Sequence, residues 1–117
     1  MYQHDLRSRT FYFAVNVGRL AADLPNSMIN RSYTSQIIRS SASVGANFRA
    51  AGRAKSTADF VNKLKIVEEE TDETIYFLQL LAEFNPANTP EIAPLIDEAT
   101  QILKMIVAAI VKARMNK

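Results

Sequence analysis

Arg39, Arg49, Arg53, Lys55 and Lys63 are the side chains of this sequence best suited to a chemical task. Guanidinium forks match phosphate oxygens in pairs, and ammonium groups meet them as point charges. The set therefore reads as a phosphate-binding stripe, whose contacts would position a polyanion without reading its sequence. The plainer reading is a solvated outer helix face. Just downstream, Glu68, Glu69, Glu70, Asp72 and Glu73 place five acids in six residues. With no cysteine and one histidine, His4, the chain cannot supply a thiolate zinc site or a Cys nucleophile. Nor can it supply the two Glu-x-x-His pairs of a bundle di-iron centre. Adjacent acids on one helix point in different directions, which argues against paired acid–base catalysis. The three glycines, Gly18, Gly45 and Gly52, form no phosphate loop, and a lone His4 supports no Ser-His-Asp arrangement. The expectation is no catalytic residue, no metal and no cofactor.

Charge is distributed unevenly along the chain. From Arg31 to Lys65 there are seven basic residues against one acid, Asp59; from Glu68 to Glu98 there are nine acids and no base. The net charge is nevertheless only +2. Such asymmetry marks either an anionic partner for the basic half or contact between opposite halves of neighbouring subunits. The first residues, MYQHDLRSRTFYF, are too polar for a signal peptide. No apolar run approaches the ~20 residues that span a bilayer. A cytoplasmic protein without a membrane partner is expected.

Three breaks divide the 117 residues into four helical stretches. Leu24-Pro25-Asn26 closes the first, because Pro25 lacks an amide hydrogen and disfavours helix at Leu24. Gly52, with Ser56 and Asp59 three residues apart, suggests a stop followed by a variant capping box. Asn85-Pro86 through Thr89-Pro90 separates the last two, with Thr89 as the expected N-cap. The spacing predicts helices over roughly 5–23, 31–54, 57–84 and 91–114.

Each stretch carries a seam at alternating spacings of three and four. The seams are Leu6, Thr10, Phe13, Val17, Leu20, Leu24; Tyr33, Ile37, Ser41, Val44, Phe48, Ala51; Phe60, Leu64, Val67, Thr71, Thr74, Leu78, Leu81; and Ile92, Leu95, Ala99, Ile102, Ile106, Ile110. Short connections make sequential helices antiparallel. The expected fold is all-α, a single up-down-up-down antiparallel four-helix bundle over residues 1–117. Helix 4 has a wider apolar stripe than one seam needs, and helix 3 carries Ile66 and Tyr76 off its seam, which points to subunit contacts.

The second helix is crowded with small residues: Ser40, Ser41, Ala42, Ser43, Gly45, Ala46, Ala50, Ala51. These lower helix propensity and suit close approach of neighbouring backbones. On a helical wheel, Arg31, Arg39, Arg49 and Arg53 fall within about 80° of arc, opposite the apolar side. Asn47 lies at the edge of that apolar side and reads as a structural hydrogen-bonding residue. Glu70 and Lys63 flank the helix 3 seam and are placed to face a neighbouring helix or subunit.

The run from Arg39 to Ala51, RSSASVGANFRAA, followed by Arg53-Ala54-Lys55-Ser56, Asp59-Phe60, Lys63 and Glu69-Glu70-Thr71-Asp72-Glu73-Thr74, resembles one bacterial family. It is similar to the four-helix bundle proteins encoded by intervening sequences of 23S ribosomal RNA genes, and to the related accessory variability protein of diversity-generating retroelements. The resemblance covers helices 2 and 3 by motif, and helices 1 and 4 by length and pattern. Gly45-Ala46 stands where many relatives have a proline before the asparagine. The resemblance implies a cytosolic homopentamer with no enzymatic activity. For the retroelement relatives it implies a basic surface that binds nucleic acid and a protein partner, a reverse transcriptase. Two functional expectations follow: a homo-oligomer that binds RNA or DNA through its basic face, or a scaffold for a protein partner without nucleic-acid binding.

Overall fold

The computed structural model describes residues 2–116, with side chains described from Leu6 onward, so the side chain of His4 lies outside the described residues. Four helices follow one another: α1 (Tyr2–Asp23), α2 (Met28–Ala51), α3 (Thr57–Phe84) and α4 (Thr89–Met115), the last preceded by a 3-10 turn at Pro86–Asn88. No strand occurs among the described residues. The helices pack as an antiparallel bundle of 47 × 20 × 19 Å. The α2–α3 interface is the most extensive and the α1–α4 interface the thinnest.

The seams read from periodicity form the core. All six seam residues of α1 and all six of α4 are buried, and so are those of α2 and α3 except Tyr33 and Phe60, which pack against the core partly buried. Fully burying one such aliphatic or aromatic side chain contributes roughly 1.5–3 kcal/mol. That gain holds together a chain whose second helix has poor intrinsic propensity.

The helix ends differ from expectation for identifiable reasons. The α1 backbone is helical from Tyr2, since no proline or glycine interrupts the start. α2 begins at Met28 rather than 31 because the Ser27 hydroxyl accepts from the Asn30 amide at 3.0 Å, an N-cap. It ends at Ala51 rather than 54, where successive i→i+3 bonds from Gly52, Arg53 and Ala54 tighten the chain into a turn. Ser56 caps α3 as expected, accepting from the Asp59 amide at 3.0 Å. Asp59 reaches one residue further back than in a capping box, to the Lys55 amide at 3.1 Å. Thr89 is not an N-cap. It is the first residue of α4, with helical φ and ψ, and its hydroxyl donates to the Pro86 carbonyl at 2.9 Å.

Buried polar groups fix how the helices meet. Asn30 and Asn85 form a reciprocal amide pair, each Nδ2 donating to the other's Oδ1 at 2.8 Å. Their second amide hydrogens go to the carbonyls of Pro25 and Leu81. Ser40 and Thr74 lie 2.6 Å apart across the same interface. Thr74 donates to the Glu70 carbonyl at 2.8 Å, so its one hydrogen is committed and Ser40 is the donor between them. Gly45 lies against α1, but a methyl group there would stand 3.5 Å from the Thr10 carbonyl, an ordinary contact. The backbones are close without requiring glycine.

Two measurements test this packing. Gly45→Ala should raise stability by about 0.5–1 kcal/mol in denaturant unfolding, the usual gain in a helix interior where space allows. Asn30→Ala or Asn85→Ala should each cost about 1–3 kcal/mol, because the remaining amide stays buried without its partner. The Asn30→Leu/Asn85→Leu double variant should lose much less than the sum of the single losses.

Candidate polyanion-binding surface

Antiparallel packing brings the C-terminus of α2, the N-terminus of α3 and the C-terminus of α4 to one end of the bundle, where Ala51, Lys55, Phe60 and Ala113 line a shared shallow groove. Arg49, Arg53 and Lys55 are exposed at this end, and Lys63 is half-buried one turn further along α3. None of the four side chains has an ion-pair partner among the described residues. Lys112 and Arg114, in the last turn of α4, join them. Asp59 is the one acid that α2, α3 and α4 place at this end, and its carboxylate is turned to the Lys55 backbone amide. Asp23, Glu83 and Glu91 are exposed at the opposite end together with Arg31, so the excess of cations lies at the α2–α3 turn.

Arg39 stands apart from the other four candidates. Its NH1 donates to Glu70 at 3.1 Å and its NH2 to Glu73, clamping the outer edge of α2 to α3. The hydrogen bond to Glu73, aided by the neighbouring Glu70 charge, pushes the Arg39 pKa further up. The Arg39 side chain is 52% exposed, so the pairing is open to water and salt. Glu70, expected to face a neighbouring helix or subunit, faces a neighbouring helix, at Arg39 of α2. Asn47 donates to the Ser43 carbonyl and hydroxyl, both at 2.9 Å, a local bond inside α2. Arg31, on the same outer face, belongs to the far end of α2, where it donates to Asn26 at 2.8 Å. The arginines that share one arc of the wheel are thus spread along the bundle, and only Arg49 and Arg53 stand together with the lysines.

Two features of the surface escaped the sequence. Arg9 grips Glu98 of α4 with two bonds, Nε to Oε2 at 2.9 Å and NH2 to Oε1 at 2.6 Å, and also donates to Gln101 at 3.0 Å. This fork bridges the thinnest interface. The second is a line of rings joining α2 to α3: Tyr33 lies 5.7 Å from Phe77 and 6.0 Å from Phe84, and Tyr76 lies 5.4 Å from Phe77, between centroids. Tyr76 and Phe77 are recognisable in the sequence as apolar residues off or beside the seam; their company with Tyr33 requires the α2–α3 register. Among the described residues no group of three or more His, Asp or Glu side chains is arranged to hold a metal. Nor, among the described residues, is any helix long and apolar enough to cross a membrane.

A family model described as 23S rRNA-intervening sequence protein matches residues 3–108. Among solved structures, the chain is similar to a protein of unknown function from the S23 ribosomal protein family of Bacteroides thetaiotaomicron. The two share 34% identity and superpose with a TM-score of 0.86, covering 94% of this chain and 98% of that one. No curated protein matches.

The clamp around Arg39 has a direct test. Arg39→Glu should lower the midpoint of denaturant unfolding, because it sets three acids together. Exchanging the charges in Arg39→Glu/Glu73→Arg should recover much of the loss, and high salt should narrow the difference between the variants.

Proposed function

The chain belongs to the 23S rRNA-intervening sequence protein family, and from that premise we propose a non-catalytic bundle that binds RNA through its basic end and assembles with copies of itself. The observation that carries the reading is the cluster of Arg49, Arg53, Lys55 and Lys63, four cations without ion-pair partners among the described residues. Guanidinium and ammonium groups left unpaired at one end of a bundle are free to neutralise phosphates. The family description and the S23 ribosomal protein name of the similar structure favour RNA among the polyanions. Arg39 serves the fold in this reading, since a phosphate would have to displace two carboxylates to reach it.

Self-assembly is supported by the outer face of α4. Val107, Val111 and Met115 are exposed there, and Ile96 and Leu103 are partly so. An apolar stripe that continues beyond the core seam is suited to a neighbouring subunit. The family resemblance favours five copies.

Electrophoretic mobility shifts with a single-stranded RNA over a salt series test the binding. Four phosphate contacts per subunit predict log Kobs falling against log salt with a slope near about −3 per bound subunit. Arg49→Glu/Arg53→Glu should weaken binding strongly and reduce the slope by about 1.4, while Arg39→Ala should leave it unchanged. Absence of any shift at low salt would overturn the RNA reading. Sedimentation of Val107→Lys/Val111→Lys against the parent protein tests assembly, with loss of the larger species expected.

A further inference from the structure

The basic end leaves the other end of the α2–α3 face without a role. There Tyr76 is 58% exposed, Phe84 55% and Met28 75%, high values for large apolar side chains. Tyr76, Leu80 and Phe84 are spaced i, i+4, i+8 and form a ridge along three turns of α3. Tyr33 leans on this ridge from α2, close to both Phe77 and Phe84. The rings therefore make a continuous, ordered surface rather than scattered exposed residues.

The charges around the ridge decide what it can accept. Glu69, Asp72 and Glu83 are exposed along the same stretch of α3 and have no ion-pair partner among the described residues. Of the cations on the α2 side, Arg39 is held by Glu70 and Glu73, and Arg31 donates to Asn26, which leaves one arginine against three unpaired acids. No basic residue sits in the last turn of α3, whose exposed carbonyl end adds further negative potential. Stacked aromatic rings can seat nucleobases, but only beside cations that draw in the phosphates. Here the sign is wrong, so the ridge is not a second nucleic-acid site.

We propose that the Tyr76–Leu80–Phe84 ridge docks an amphipathic helix of another protein, with an apolar face for the rings and lysines or arginines for Glu69, Asp72 and Glu83. A helix laid along the ridge meets it over about two to three turns, the i, i+3, i+4, i+7 pattern of helix-in-groove recognition. The unpaired acids select a basic partner and speed its approach. A second copy of this chain is the poorer occupant. Around Arg49 and Arg53 its α2 surface offers only Ala46 and Gly52, and of the arginines near its exposed α1 aromatics, Phe11 and Tyr12, Arg9 is already held by Glu98. Its basic apolar stripe, Val107 and Val111 beside Lys104 and Lys112, is the one assigned above to subunit contact. The choice of a separate protein rests on that assignment.

A synthetic helical peptide of about three heptads, with leucine at a and d, lysine at e and g and one tryptophan as reporter, is a suitable probe. The chain itself has no tryptophan, so peptide fluorescence reports binding alone. The lysine peptide is expected to bind, with amide shifts confined to α2 and α3, and a glutamate counterpart is expected not to bind. Tyr76→Ala/Phe84→Ala should weaken binding at least tenfold without loss of helical circular dichroism, as for central aromatic anchors. Glu69→Gln/Glu83→Gln should weaken it less and flatten its salt dependence. Equal binding by the Tyr76→Ala/Phe84→Ala protein or by the glutamate peptide would overturn the proposal. So would a drop in native mass on Tyr76→Ala/Phe84→Ala, which would assign the ridge to a second copy. Val107→Lys/Val111→Lys, measured in parallel, separates that result from failure of the assembly reading itself.

Discussion

A slip of one helical turn between α2 and α3 would break three polar contacts at once. The Asn30–Asn85 amide pair pins one end of the interface, Ser40 and Thr74 pin its middle, and the Arg39 clamp on Glu70 and Glu73 closes its outer edge. Aliphatic seams alone tolerate such slips, because a buried leucine packs against one aliphatic side chain much as against another. A buried amide does not, since losing its partner costs about 1–3 kcal/mol. The apolar seams supply most of the stabilisation, and the polar pairs select one register from several of similar burial.

Everything placed on the surface follows from that register. Arg49 and Arg53 on α2 meet Lys55 and Lys63 because α2 ends where α3 begins and the two run antiparallel without offset. The same alignment sets Tyr33 between Phe77 and Phe84, residues 44 and 51 positions away in sequence. Arg39, which shares an outer face with Arg49 and Arg53, is drawn out of the unpaired set by its height on the helix, level with the acids of α3. Position along the bundle, and not position around the helix, decides which arginines stay unpaired.

For the same reason the fold is more legible in the sequence than the site. Burial follows the helical repeat, a property of each segment alone, so periodicity suffices to name the seam residues from Leu6 to Ile110. Helix ends are less legible where caps depend on competing local bonds: Thr89 has the composition of a cap, but the preceding 3-10 turn offers its hydroxyl the Pro86 carbonyl and carries it into the helix. Contacts across long separations are illegible. Asn30 and Asn85, Arg39 and Glu73, and Arg9 and Glu98 are each ordinary surface-type residues in their own segments. Only the assembled bundle makes partners of them.

The modest net charge of +2 conceals two strong local fields. At physiological ionic strength the Debye length is about 8 Å, so charges separated by more than that scarcely feel one another through water. The bundle is 47 Å long. Acids near Glu83 and Glu91 therefore do little to offset Arg49, Arg53 and the lysines at the other end, and an approaching polyanion responds to the basic end as though the rest were neutral. The converse holds for a basic helix nearing the aromatic ridge. A chain of average composition can thus present two ends of opposite preference, provided that the length of the bundle keeps them apart.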